Sequence, residues 1–176
     1  MTEETPKNKL EKKEVLDDNA RKFIIDAVDP ALLEKSNVSS FTLIVDWLET
    51  SEDNEKKVAY KKFDNGNIQI LLISKVTKDG HRTSEKEKIT EEEYKDLLAS
   101  SVLHLEKKRY EFEYTQNNTS FSVKYDEFDE GKLCMLEVDA SSEEERNAFI
   151  PSDFPNTLTE VTGELRYYGY RVASVI

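Results

Sequence analysis

The sequence predicts an antiparallel α+β protein. Three observations carry this: apolar runs of strand length separated by short turns, helix-start signatures that fall between those runs, and no strand–helix–strand rhythm that would build parallel units. The chain has 176 residues, 37% hydrophobic and 10% aromatic, with 5 Gly and 4 Pro. That length suits one domain with one core.

Residues 1–18 are mostly charged, anchored by Leu10, Val15 and Leu16 alone, and read as a tail or a loosely docked helix. Phe23-Ile24-Ile25 then reads as a short strand. Asp29-Pro30 opens a short helix as N-cap and first-turn proline, with Leu32 and Leu33 facing inward. Phe41 to Leu48 is apolar and β-branched. Lys57 to Phe63 runs into the turn Asp64-Asn65-Gly66-Asn67, a hairpin signal, and Ile68 to Val76 returns from it. A second turn at Lys78-Asp79-Gly80 leads into His81 to Ile89, so the segments form a meander.

Thr90 with Glu93 makes a capping box, and the apolar spacing Tyr94, Leu97, Leu98, Val102, Leu105 extends the helix that follows. Strands resume over 107–114, 121–128 and 133–139. Ser142 with Glu145 starts another helix that stops before Pro151. From Leu158 the chain reads as a short extended piece and then, over 165–175, as helix.

Charge narrows the function classes. With 25 Lys+Arg against 37 Asp+Glu the net charge is −12, which disfavours nonspecific nucleic-acid binding and anionic membrane surfaces. No apolar run approaches the roughly 20 residues of a membrane span, and the polar start lacks a secretory pattern, so a soluble cytoplasmic protein is expected. Cys134 is the single cysteine, which leaves no intrachain disulfide and no Cys-based zinc site.

Side chains at i and i+2 share a strand face, so Lys107, Arg109, Glu111 and Glu113 lie together, opposite Lys108, Tyr110, Phe112 and Tyr114. Glu137 and Asp139 pair in the same way, and Lys75 closes the apolar run from Ile68. Each strand alone is explained by one wet face. A constellation would be needed to make a site.

Several motifs occur in a familiar order: Ile73-Ser74-Lys75, Arg82, Ile89-Thr90-Glu91, Lys107-Lys108-Arg109-Tyr110, Leu136-Glu137-Val138-Asp139, Ser142-Glu143-Glu144-Glu145 before Pro151, and Glu160-Val161-Thr162 before Tyr167-Tyr168. In this the chain resembles the CYTH superfamily, the triphosphate tunnel metalloenzymes. The resemblance implies an antiparallel closed β-barrel with flanking helices, in a single domain over 19–176. It implies Lys22, Lys75, Arg82, Lys107 and Arg109 as phosphate ligands, with Lys57 or Lys61 assisting. It implies Glu137, Asp139 and Glu160 as ligands of Mg²⁺ or Mn²⁺, with Asp18 a fourth and with Glu137 and Asp139 as the catalytic pair.

The pattern is also depleted. Ala20 stands where the Glu-x-Glu-x-Lys signature has a carboxylate, and Ser84 and Lys86 stand at two glutamate positions unless a one-residue slip brings in Glu85 and Glu87 at the expense of Arg82. Three readings follow: a metal-dependent triphosphatase, with adenylate cyclase activity less favoured; a tunnel that binds a small polyanion without turnover; and a fold whose inner charges are mutual salt bridges. The expected partner is a small polyanion, with no nucleic acid and no membrane, the protein acting as a monomer or homodimer.

Overall fold

The computed structural model describes residues 13–17, 20–26, 28–35 and 37–174. These contain strands β1 (Lys13–Asp17), β2 (Arg21–Ile25), β3 (Ser39–Thr50), β4 (Asn54–Phe63), β5 (Ile68–Lys78), β6 (His81–Lys88), β7 (Leu103–Gln116), β8 (Thr119–Phe128), β9 (Leu133–Asp139) and β10 (Leu158–Glu160). The α-helices are α1 (Pro30–Leu33), α2 (Glu91–Leu98), α3 (Glu143–Asn147) and α4 (Gly169–Ala173). No helix among the described residues is long and apolar enough to cross a membrane.

The chain forms two compact units. The first comprises β1 with Ile44–Lys61 and Ile68–Leu105, in strand order β1-β6-β5-β4-β3; the second comprises Ala20–Leu43, Lys62–Asn67 and Glu106–Ile176, in order β7-β8-β9-β2-β10. The pairs β1·β6, β5·β6, β7·β8, β8·β9, β2·β9 and β2·β10 are all antiparallel, in accord with the expected class.

Register within the first unit is fixed by the turn after β5. Asp79 (φ 53) and Gly80 (φ 73) are both left-handed, the backbone of a two-residue hairpin turn that matches strand twist. It sets Lys78 opposite His81, and hence Thr77 opposite Arg82 and Lys75 opposite Ser84. In the second unit Asn117 (φ 47) and Asn118 (φ 64) do the same for β7 and β8, placing Arg109 opposite Asp126.

The second unit's core uses one face of its sheet. Phe23, Ile25, Phe112, Phe121, Val123, Tyr125, Leu136 and Val138 are buried there with Val28 and Leu32. Phe149, just after α3, closes over them, with its ring centroid 5.3 Å from Phe121 and 5.6 Å from Phe23. Burying each such side chain is worth roughly 1.5–3 kcal/mol. The opposite face of the same strands is therefore left to the charges. Cys134 is buried in β9 and accepts a hydrogen bond from the Tyr125 hydroxyl.

The caps form as expected: Asp29 accepts from the Ala31 N–H, Thr90 from Glu93 and Ser142 from Glu145. Three segments differ from expectation. Residues 13–17, read as tail or helix, form a strand against β6; residues 1–12 and 18 lie outside the described ones. Helix α2 stops at Leu98, because the Ser101 hydroxyl donates to Asp46 and the Val102 N–H to the Trp47 carbonyl, which turns the chain into β7 and leaves Leu105 buried in a strand. The C-terminal helix is broken: Leu165–Tyr167 is a single 3-10 turn, and Tyr168 is extended (ψ 144) before its carbonyl receives the Val172 N–H in α4.

Candidate functional site

Each unit gathers charge on one sheet face around a buried carboxylate. In the second unit that carboxylate is Asp126 on β8. Arg109 grips it with two donors, Nε and Nη2, both at 2.7 Å, and Lys107 Nζ adds a third at 2.9 Å. The side chains of Lys107, Arg109 and Asp126 are 10%, 12% and 4% exposed. Beside them a row of alternating sign crosses four strands by register, Glu111, Lys124, Glu137 and Lys22.

Burial sets the titration of this cluster. It raises Asp126, but Arg109 and Lys107 outweigh it and hold the carboxyl below its ordinary value. Burial likewise raises Glu137, which Lys22, Arg109, Lys124 and Lys107 nonetheless hold well below the carboxylate range. Lys107 goes the other way: burial and then Arg109 push it down to about 8, against the pull of Asp126 and Glu137. Two cations sharing one buried acid leave this ammonium incompletely compensated.

The first unit repeats the arrangement around Glu55 on β4, which is 4% exposed at its side chain. It accepts from Trp47 Nε1 at 2.6 Å, Lys57 Nζ at 3.0 Å and Arg82 Nη2 at 2.6 Å. Burial raises its pKa, while Lys57, Lys75 and the Trp47 hydrogen bond bring it far below the ordinary value. Lys75 and Arg82 share this face with Ser84, because directly opposed residues point the same way. The register thus puts Ser84 and Lys86 beside the cations and sends Glu85 and Glu87 to the other face.

Of the expected phosphate ligands, Lys75 and Arg82 come together in the first unit and Lys22, Lys107 and Arg109 in the second. The expected metal ligands do not converge in the same way. Glu137 and Asp139 share a face of β9, with Lys22 Nζ 3.8 Å from Glu137 and Arg146 Nη1 3.1 Å from Asp139. Glu160 stands opposite Phe23, on the core face, and is held by Arg21 at 2.8 and 3.0 Å. Among the described residues no three Asp, Glu, His or Cys side chains gather as a metal would need. Among the described residues each of these three acids is engaged by a cation, and Glu160 lies on the face away from Glu137 and Asp139. Asp18 lies outside the described residues.

The hubs Glu55 and Asp126 were missed from sequence. A signal existed for both: Glu55 stands two residues before Lys57 on one strand face, and equal steps back from the Asn117-Asn118 turn place Asp126 against Arg109.

No protein-family model matches the sequence, and no curated protein matches it. Solved structures do. The inorganic triphosphatase NE1496 matches with a TM-score of 0.57 at 20% identity, over 90% of this chain and 99% of that one. A second structure, described as the hypothetical protein NE1496, gives 0.56 at 20% identity over 89% and 97%. At this identity the likeness concerns the fold, and it agrees with the class drawn from the motifs: the chain has the triphosphate-tunnel fold.

Proposed function

We propose that the chain binds a triphosphate-class polyanion, or another small phosphorylated molecule, through these cations and without a resident metal. The observation that carries the reading is the convergence of cations at each hub: Lys107 and Arg109 meet at Asp126, and Lys57 and Arg82 meet at Glu55 with Lys75 nearby. Buried guanidinium and ammonium groups already held together by an oxyanion are arranged to receive the oxygens of another. Guanidinium and ammonium donors at several heights on a sheet suit a ligand with several phosphate groups. The likeness to a protein described as an inorganic triphosphatase supports the same ligand class.

Hydrolysis is the second reading, favoured by Glu137 and Asp139 lying two residues apart on the charged face of β9. One experiment separates them. Thermal unfolding is followed with tripolyphosphate, and phosphate release is measured with added Mg²⁺ or Mn²⁺. The proposal expects an upward shift in melting temperature that Arg109→Ala or Arg82→Ala diminishes, with no release above background. Release that Glu137→Ala abolishes would establish hydrolysis instead, and neither signal would leave the charges as structural salt bridges.

A further inference from the structure

Glu55 is the group in the first unit that neither the motifs nor the fold accounts for. Its carboxylate receives an indole N–H, an ammonium and a guanidinium at 2.6 to 3.0 Å, the same donor types that would receive a phosphate oxygen. Beside it Ser84, 2% exposed, has a hydroxyl with no hydrogen-bond partner among the described residues, although it stands opposite Lys75 and two residues from Arg82. A buried hydroxyl left unsatisfied costs free energy unless a ligand completes it.

We propose that Glu55 is a built-in competitor for the polyanion: it occupies Lys57 and Arg82, with Lys75 near enough to act on it electrostatically, and admits only a ligand charged enough to displace a carboxylate. It is thus a specificity-determining residue, selecting tripolyphosphate and pyrophosphate over orthophosphate, with the Ser84 hydroxyl completing the entering anion. This inference rests on the reading that the ligand is a polyanion. Displacement moves no covalent bond; Lys57 and Arg82 exchange one oxyanion for another. Trp47, whose Nε1 donates to Glu55, is the single tryptophan of the chain, so its emission reports the exchange directly.

The test compares the wild-type chain with Glu55→Gln, which keeps the shape and an acceptor for Trp47 while removing the charge. Calorimetric titrations use tripolyphosphate and orthophosphate. The inference expects tripolyphosphate to bind roughly tenfold or more tightly to Glu55→Gln, since a unit charge within contact of two cations is removed, and orthophosphate binding to become measurable. The double variant Glu55→Gln, Arg82→Gln should lose the gain. A folded Glu55→Gln with unchanged or weaker affinity overturns the inference. If that variant does not fold, the wild type decides: Trp47 emission must change at saturating tripolyphosphate, and an unchanged spectrum overturns it. Binding to Glu55→Gln alone would mean that Glu55 excludes tripolyphosphate as well, overturning both the selectivity and polyanion binding by the wild type; a wild type that binds with no gain in the variant would overturn this inference alone.

Discussion

Asp126 is the residue whose removal tests the electrostatic account most severely. Asp126→Asn keeps the shape of the side chain but leaves Lys107 and Arg109, 10% and 12% exposed, as adjacent like charges with no shared acid. Breaking a buried ion pair by removing one partner costs about 3–5 kcal/mol. For a chain of this size each kcal/mol lowers the melting temperature by about 2–4 °C, so a drop on the order of 10 °C is expected. The loss should also depend on pH. Lys107 already titrates near 8; without Asp126 it falls further and sheds its proton, so the penalty shrinks between pH 7 and 9.5. Urea unfolding of both proteins at the two pH values measures this. A loss below about 1 kcal/mol, or one that is the same at both pH values, would refute the claim that Asp126 holds Lys107 and Arg109 together as a buried ion cluster.

Other consequences can be measured on the same material. In the wild type, the folded protein binds fewer protons than the unfolded chain between the folded Lys107 value of about 8 and its ordinary 10.5, so this group adds stability as pH rises through that window; Lys107→Met should remove the rise seen in urea unfolding. Glu137 is held below its ordinary value, so its contribution is present above the unfolded carboxylate range and lost as pH falls; Glu137→Gln should flatten the acid limb of the stability curve. Glu160→Gln breaks a partly exposed pair with Arg21 on the core face, so it should cost at most about 1 kcal/mol and leave tripolyphosphate affinity within roughly twofold by calorimetry. Treatment with a chelator should leave the melting temperature unchanged, since among the described residues Glu137, Asp139 and Glu160 are each engaged by a cation and no three such side chains gather.

The parts of the fold that were legible from sequence were those set by local chemistry. Strand β9 lies over Leu133–Asp139 as the alternation indicated, and the caps at Thr90 and Ser142 form because hydroxyl and N–H are only three residues apart. Helix α2 was overextended because Val102 and Leu105 fit a helical spacing, whereas Leu103 and Leu105 equally fit a strand; the decision fell to Asp46 and Trp47 on β3, distant in sequence. The cations of the site could be read because a short motif carries each one. Their acids could not, since Glu55 and Asp126 acquire meaning only from register across strands. Register also moved Glu160 away from Glu137: the direct opposition of Glu160 to Phe23 and of Glu137 to Lys22 puts them on opposite faces.

The central claim is that these faces bind a polyanion, and a calorimetric titration of tripolyphosphate into the full chain at low salt, pH 8.5, tests it most directly. The account predicts a saturable heat with net proton uptake, because the anion restores the Lys107 proton, and affinity at least tenfold weaker in Lys22→Gln or Arg109→Gln. Absence of a saturable heat, or binding that neither substitution weakens, would contradict it.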